Sequence, residues 1–492
     1  MKRITINTII TCLSLAFFYS CDLDKYPYSS IEQSQAFQTV TDATTLNNAL
    51  YSAMRGRVYG IYAISPDIQT DLYHATIDFG NRRGSVYRWD FIDSDYDIRD
   101  VWQGYYSALS NVNNFLDNID KITGKNDEEK TTLANLKGEA YFFRAFFHEK
   151  LVKRYAKDYE PASAASDPGI PLVLHFELNG QPARATVEEV YTQILSDLKD
   201  AKALIKTEGK AGSERLTKDC IAALEAIVYL DLHRYGDAVT AANSLINSGT
   251  YPLVDTQAKL LDVWAKDAND ESILMLYATS TELGNANSIF LQYSTATGKY
   301  TPDFVPEQWL INLYDDSDFR KKVYFAELPV NFSGMTGNLE MTLFNKFPGN
   351  PALYTGTSNY QHKPKVFRIA EAHLIKAEAL AWDNKDAEAL AALNVLRKAH
   401  GGLPELANVS GDALKNEIKN ERIRELVGEG TRLSDLKRWK QEVTRGNAQN
   451  VSIINEAGSL LNKPITDAKF VWAIPSRDMT TNPNLVQNPG WE

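Results

Sequence analysis

The residues that could do chemistry in this chain are scattered, and most fail on spacing. Seven histidines, His74, His148, His175, His233, His362, His373 and His400, never pair at metal-ligand spacing, and no HExxH, CxxC or GxSxG sequence is present. Asp93-x-Asp95-x-Asp97 opens like a calcium loop, yet Ile98 stands where such a loop needs Gly and Gly104 where it needs a bidentate Glu. Structural calcium there is the single cofactor the sequence leaves open. A dense charged series runs from Glu421 to Arg438, but alternating signs at helical spacing make solvated or partly buried ion-pair networks rather than a catalytic carboxylate pair. No residue is assigned to catalysis, so binding rather than turnover is expected.

Binding chemistry is better represented. The chain carries 25 Tyr, 20 Phe and 8 Trp. Such rings can stack on the C–H faces of sugars, while Asn, Asp and Arg pair with sugar hydroxyls. Two irregular segments, residues 65–99 and 277–364, hold both residue types together. In the first, Trp89, Tyr73, Tyr87 and Tyr96 are candidate stacking platforms, with Asn81, Arg82 and Arg83 as polar readers. The second adds Asn285, Asn287, Tyr293 and Tyr300. Any one of these rings could instead be core, where large rings usually go.

The elements that must position these loops are helices. The stripe Leu133, Leu136, Ala140, Phe143, Phe147, Leu151 and Tyr155 recurs at three- and four-residue steps and predicts a helix buried along one side. Further helices are expected at about 41–59, 101–122 and 187–205, the last opened by a capping box of Thr186 and Glu189. Residues 217–248 and 367–399 look like tetratricopeptide-type helix pairs, whose alanines let paired helices approach closely. Thr431 is expected to cap a helix that follows a break at Gly430.

With 63 acidic and 52 basic residues the formal charge is −11, which argues against nucleic acid, since that affinity comes from cations neutralising phosphates. Lys2 and Arg3 precede a short apolar stretch interrupted by Thr5, Asn7, Thr8, Thr11, Cys12 and Ser14, too polar to span a membrane and suited to export. It ends in Phe18-Tyr19-Ser20-Cys21, which resembles the lipobox where a bacterial signal peptide is removed and the cysteine lipidated. Asp22-Leu23-Asp24-Lys25 resembles the surface-export signal of Bacteroidetes lipoproteins. Cleavage would remove Cys12 and lipidation consume Cys21, leaving Cys220 without a disulfide partner.

The last third carries the most specific motifs. Glu421-Arg422-Ile423-Arg424-Glu425-Leu426, Glu429-Gly430-Thr431-Arg432 and Asp435-Leu436-Lys437-Arg438-Trp439 resemble the ER-xx-EL, EG-xR and DL-xRW series of the SusD/RagB family. Ala473-Ile474-Pro475 and Asn484-Leu485-Val486-Gln487-Asn488-Pro489-Gly490-Trp491 resemble its IP and N-x-L-x-QNPGY ending, with Trp for Tyr. Trp102-x-x-x-Tyr106, Asn111, Asn114, Arg144-Ala145 and Gly169-Ile170-Pro171 fit the same pattern.

The resemblance implies an all-α-dominated fold with about four tetratricopeptide-like helix pairs supporting a loop-rich ligand-binding region with minor β structure. The organisation it suggests is a signal peptide over 1–20, lipidated Cys21 and tether over 21–40, a helical part over 41–276, a ligand-binding insert over 277–364 and a C-terminal part over 365–492. It also implies a non-enzymatic, lipid-anchored lipoprotein, exposed at the cell surface on the outer membrane. Such a protein captures glycan for a SusC-like TonB-dependent transporter. A peptide-capturing RagB-like lid is the alternative within the family, a helical-repeat scaffold for protein partners the alternative outside it, and a surface hydrolase the third.

Cys21→Ser tests the anchor. The variant is expected in the soluble fraction or with its signal uncut, as cell fractionation would show; continued membrane attachment with surface exposure would sink the lipidation reading.

Overall fold

The computed structural model describes residues 36–354, 356, 360–446 and 448–491. The expected signal peptide, Cys21 and most of the tether lie outside the described residues. Nine helices of twelve residues or more occur among the described residues: α1 (Val40–Arg55), α2 (Tyr96–Ile119), α3 (Asp127–Tyr155), α4 (Val187–Leu204), α5 (Lys218–Asp231), α6 (Tyr235–Ile246), α7 (Ile369–Trp382), α8 (Asp386–Gly401) and α9 (Gly411–Leu426). None of the described helices is long and apolar enough to cross a membrane.

Helix α3 is the axis of the first half. Asn126 caps it by accepting the Glu129 N–H at 2.9 Å, Asp127, Glu128 and Glu129 occupy its positive end, and Lys153 and Arg154 its negative end. Every residue of the expected stripe is buried, but Phe142 and Phe146, off that stripe, are buried as well. The helix is therefore enclosed by α1, α2 and α4 rather than covered on one side. Gly138 permits the closest approach: a Cβ there would sit 2.9 Å from Leu204 Cβ at the end of α4. The capping box that opens α4 forms, with Glu189 N–H donating to Thr186 Oγ1 at 3.2 Å and Thr186 N–H to Glu189 at 2.8 Å.

Two helix hairpins follow the alanine pattern. Residues 232–234 join α5 to α6 and residues 383–385 join α7 to α8, with His233 and Asn384 in the left-handed region at φ 56° and 61°. Ala223, Ala226, Ala238 and Ala242 are buried in the first hairpin and Ala377, Ala379 and Ala389 in the second. Helix α7 packs on α6 and α9, joining the hairpins into one layer.

Residues 277–364 contain no described helix longer than six residues. They contribute a four-stranded sheet, in the order β1 (Tyr293–Ser294), β2 (Lys299–Tyr300), β3 (Phe325–Val330) and β4 (Leu339–Phe344). β1 and β2 are antiparallel with Tyr293 opposite Tyr300, β2 and β3 parallel, and β3 and β4 antiparallel from Phe325↔Phe344 to Val330↔Leu339. The segment is stitched to its surroundings, since Tyr73–Ala75 pairs with Phe304–Pro306 and Ser272–Met275 with Lys365–Arg368.

Segment 65–99 is less irregular than its sequence suggests. It begins inside the helix Ile61–Ile68, holds the short helix Gly84–Arg88, and ends in the first turn of α2, which starts five residues earlier than the expected 101. The Asp93-x-Asp95-x-Asp97 spacing accordingly runs into a helix, with Asp95 as its N-cap. Asp97 is buried in that first turn, accepting from Ser65 Oγ at 2.5 Å and from Arg83 at 2.9 Å. Thr431 forms no side-chain cap either. Asp67, from the far end of the chain, accepts the N–H groups of Gly430 at 3.0 Å and Arg432 at 3.3 Å.

The charged series is a buried network. His400 donates to, or shares protons with, Glu271 at 2.8 Å and Glu425 at 2.9 Å. Arg368 meets Glu425 at 2.8 Å and Glu271 at 3.2 Å, while Arg320 meets Glu421 at 2.7 Å and Asp318 at 2.9 Å. Arg422 pairs with Asp435 at 2.9 Å, and Arg438 and the Trp439 indole both reach Glu378. Burial opposes the His400 imidazolium, but Glu425 and Glu271 outweigh it and raise its pKa from 6.5 to about 10.

A folded-state pKa raised above the unfolded value makes this stabilisation complete below about pH 6.5 and lost as pH rises through about 10. Lys346 and Lys437, whose pKa values fall to about 8 chiefly through burial, work in the opposite sense above that pH. The stability difference between wild type and His400→Gln isolates the histidine. It should be about 3–5 kcal/mol near neutrality, because two buried carboxylates lose their cation, and shrink towards pH 10 in denaturant unfolding; a difference independent of pH would refute this.

Candidate functional site

The fold brings the two sequence-flagged segments together. Arg82 pairs with buried Asp303 through Nε and Nη2, and its Nη2 also reaches Gln292 Oε1 at 3.3 Å. Burial raises the Asp303 carboxyl pKa while Arg82 pulls it back, and the bond to Asp303 raises that of the guanidinium. Ser333 N–H donates to Asp78 at 2.7 Å, and Gly60 N–H to Asn287 Oδ1 at 3.1 Å. Of ten described non-glycine residues at positive φ, five lie in these loops: Asn81, Arg83, Trp89, Gln292 and Tyr360. Such conformations persist only where surrounding contacts over-determine them, and they concentrate at binding surfaces.

Four of the expected ligand contacts belong to the core instead. Trp89 is 3% exposed, packs on Phe470 with ring centroids 5.0 Å apart, and donates its indole N–H to Gln69 O at 2.6 Å. Tyr73 lies between Phe290 and Phe344 with no exposure. Tyr87 is equally buried beneath the Arg445 guanidinium, 4.0 Å from its ring centroid. Asn287, 1% exposed, accepts the Gly60 N–H with its Oδ1 beneath the surface. A ring removed from water on both faces can stack on nothing from outside, so these residues support the loops and do not read a ligand.

The other candidates reach the surface. Tyr96 is 42% exposed, accepts the Arg83 N–H at 2.9 Å and lies under the Arg83 guanidinium, which also pairs with Asp97. Asn81 accepts from Arg88 at 2.7 Å, and Asn285 donates to Gly56 O at 2.6 Å beside the loop to Gly60. Tyr293 is 43% exposed, with its ring centroid 5.0 Å from that of Tyr300 across the β1–β2 pair.

Two further tyrosines complete that cluster. The Tyr360 hydroxyl accepts the Tyr293 N–H at 2.9 Å, and Tyr354 is 40% exposed. Burial, then Tyr293 and Tyr354, raises the Tyr300 pKa; burial, with Tyr300 and Tyr354 adding to it, raises that of Tyr360. Tyr354 and Tyr360 stand in the same Gly- and Pro-rich segment as the named candidates, but nothing local marks them as neighbours of Tyr293. Gln292 and Asp303 were missed for the same reason. Gly349, at φ 86°, is required here because a Cβ would meet the Tyr360 backbone at 2.6 Å.

The result is a surface running from Tyr96 and Arg83 through Arg82 and Gln292 to four clustered tyrosines, with its guanidiniums already fixed by buried carboxylates. Among the described residues no group of three or more His, Cys, Asp or Glu is placed to hold a metal ion.

Residues 320–491 match the family model described as the SusD family, and residues 23–230 match a SusD-like model described as starch-binding and associating with the outer membrane. The chain belongs to the SusD/RagB family. A SusD-like protein of Formosa agariphila is 24% identical to it, with 99% of each chain covered. A SusD superfamily structure from Bacteroides thetaiotaomicron is 25% identical and superposes with a TM-score of 0.78, over 92% of this chain and 100% of that one. A surface glycan-binding protein from Bacteroides fluxus shares the fold at 20% identity, with a TM-score of 0.68 over 92% of this chain and 100% of its own.

The family motifs now have physical roles in this SusD/RagB chain. The C-terminal motif clamps α3, as Asn488 Nδ2 donates to Tyr155 O at 2.9 Å and Trp472 O at 2.7 Å while its Oδ1 accepts from Arg184 at 2.8 Å.

Trp89→Ala and Tyr293→Ala should separate support from surface. The first is expected to cost about 3–5 kcal/mol of stability as a core cavity, the second within about 0.5 kcal/mol as a surface change. Thermal unfolding of both checks this, and equal melting temperatures would contradict the assignment.

Proposed function

We propose that this SusD/RagB protein is a glycan-capturing lipoprotein of the outer-membrane surface, anchored through Cys21, that delivers oligo- or polysaccharide to a SusC-like TonB-dependent transporter. The observation that carries the reading is the clustering of Tyr293, Tyr300, Tyr354 and Tyr360 beside Gln292 and the Arg82–Asp303 pair. Aromatic faces next to fixed planar polar groups suit the alternating C–H and hydroxyl surfaces of a sugar chain. A family description naming starch binding at the outer membrane, and a relative of the same fold named for glycan binding, support the same class. Binding without chemistry is the corresponding reading of the face, whose named carboxylates, Asp97 and Asp303, are already paired with arginines.

The helical layers would then be the rigid support for the ligand loops, and the lipid tether would keep the protein close to the transporter it serves. Co-purification of a barrel transporter with the membrane-anchored protein would support that partnership.

Electrophoresis of the protein from Asp22 onward, through native gels each containing one polysaccharide from a broad panel, tests the glycan reading. Retardation by one glycan class is expected. Tyr293→Ala should weaken it by about 1–3 kcal/mol, roughly 5- to 150-fold, if Tyr293 is an anchor of the site. No retardation by any polysaccharide, together with binding of peptides, would overturn the proposal in favour of a peptide-capturing lid.

A further inference from the structure

A small, partly open space of about 120 Å³ lies where the end of α3 meets the joint at residues 429–435. Its wall includes Arg57, Tyr62, Tyr105, Arg154 and Arg422, and also three carboxylates, Glu371, Glu429 and Asp435, each already paired: Glu371 and Asp435 with Arg422, and Glu429 with Lys346 and Arg368. Arg154 is 8% exposed, yet its Nε and Nη1 have no hydrogen-bond partner among the described residues. Its face rests on the Trp472 ring, 4.9 Å from the centroid.

The carboxylates that act on it through space, Asp67 and Glu149, are committed elsewhere. Asp67 accepts from the Gly430 and Arg432 amides, and Glu149 pairs with Lys150 at 2.9 Å and Lys153 at 3.2 Å. Arg57 donates to carbonyl oxygens, those of Gly104 and Ala53, and Arg422 keeps Nη1 unpartnered while its other nitrogens hold Asp435 and Glu371. A guanidinium buried with two of its nitrogens unpartnered is costly, and the fold places Arg154 in that position with the partly exposed Arg57 on the same space.

We infer that this space is a binding site for a small inorganic oxyanion of the sulfate or phosphate type, held by Arg154 with Arg57, Arg422 and the hydroxyls of Tyr62 and Tyr105. A volume of about 120 Å³ leaves room for one such ion. Guanidinium forks match tetrahedral oxyanions in geometry as well as charge. Arg57 and Lys150, both partly exposed members of the wall, mark the side from which an ion enters. Occupancy would tie the last turn of α3 to the joint that carries Gly430, adding a bond between the N-terminal helices and the charged series.

Crystals grown without sulfate or phosphate and soaked in sodium selenate give the direct test. An anomalous peak within hydrogen-bond reach of Arg154 is the expected result; ordered water alone in the space, or selenate found only on the surface, would overturn the inference. In solution, sodium sulfate should raise the melting temperature saturably, by about 2–4 °C over sodium chloride of equal ionic strength. Arg154→Met should abolish that increment, and Arg57→Met should reduce it if the first variant does not fold. An unsaturable rise shared by wild type and variant is the general effect of an excluded salt and counts against the site.

Discussion

Much of this structure depends on the solution found for the charges of α9. Glu421, Arg422, Arg424 and Glu425 are all buried, a placement that desolvation forbids unless each meets an opposite charge. The partners come from residues distant in sequence. Glu271 precedes a strand, Asp318 and Arg320 sit in the insert, Arg368 starts α7 and His400 ends α8. Satisfying one helix thereby fixes the edges of the insert and the orientation of the second hairpin. The same logic extends through Asp435 and Arg438 to Glu378, and through Arg432 to Asp71 in the first irregular segment.

The tyrosine face inherits its rigidity from that frame. Beneath it lies a layer of buried rings, Tyr73, Phe290 and Phe344, in mutual contact at centroid distances of 4.7 to 5.6 Å. Above it stand the partly exposed tyrosines. The chain uses the same residue types in both layers, so identity does not separate them; position in the sheet and the covering strands do. Backbone strain at Arg83, Gln292 and Tyr360 is held in place by the Arg83–Asp97 and Arg82–Asp303 pairs and by the Tyr293–Tyr360 hydrogen bond. Polar groups held in place beforehand lose less entropy on binding than free ones.

The helices were legible in the sequence because their information is local. The three- and four-residue steps of Leu133 to Tyr155, the Thr186–Glu189 capping box and the alanines of the two hairpins each act within one or two turns, and the structure places helices over them. The charged series was legible for the same reason, though its burial was not: alternating charge tells that partners exist, not whether water remains among them. The motifs from Glu421 to Trp439 and at the C-terminus pointed to the family, and their contacts make them structural.

What the sequence by itself determined is therefore the helical frame, the family and the two segments from which the face is built. Which rings in those segments face solvent was decided only by tertiary structure. Trp89 and Tyr87 stand in the same segment as Tyr96, and Tyr354 and Tyr360 more than fifty residues from Tyr293, so neither burial nor clustering leaves a local trace. The physical reason is that exposure is a property of everything packed around a side chain. Phe470 covers Trp89 and Arg445 covers Tyr87 from the far end of the chain, and Asp67 caps a helix whose own Thr431 makes no cap.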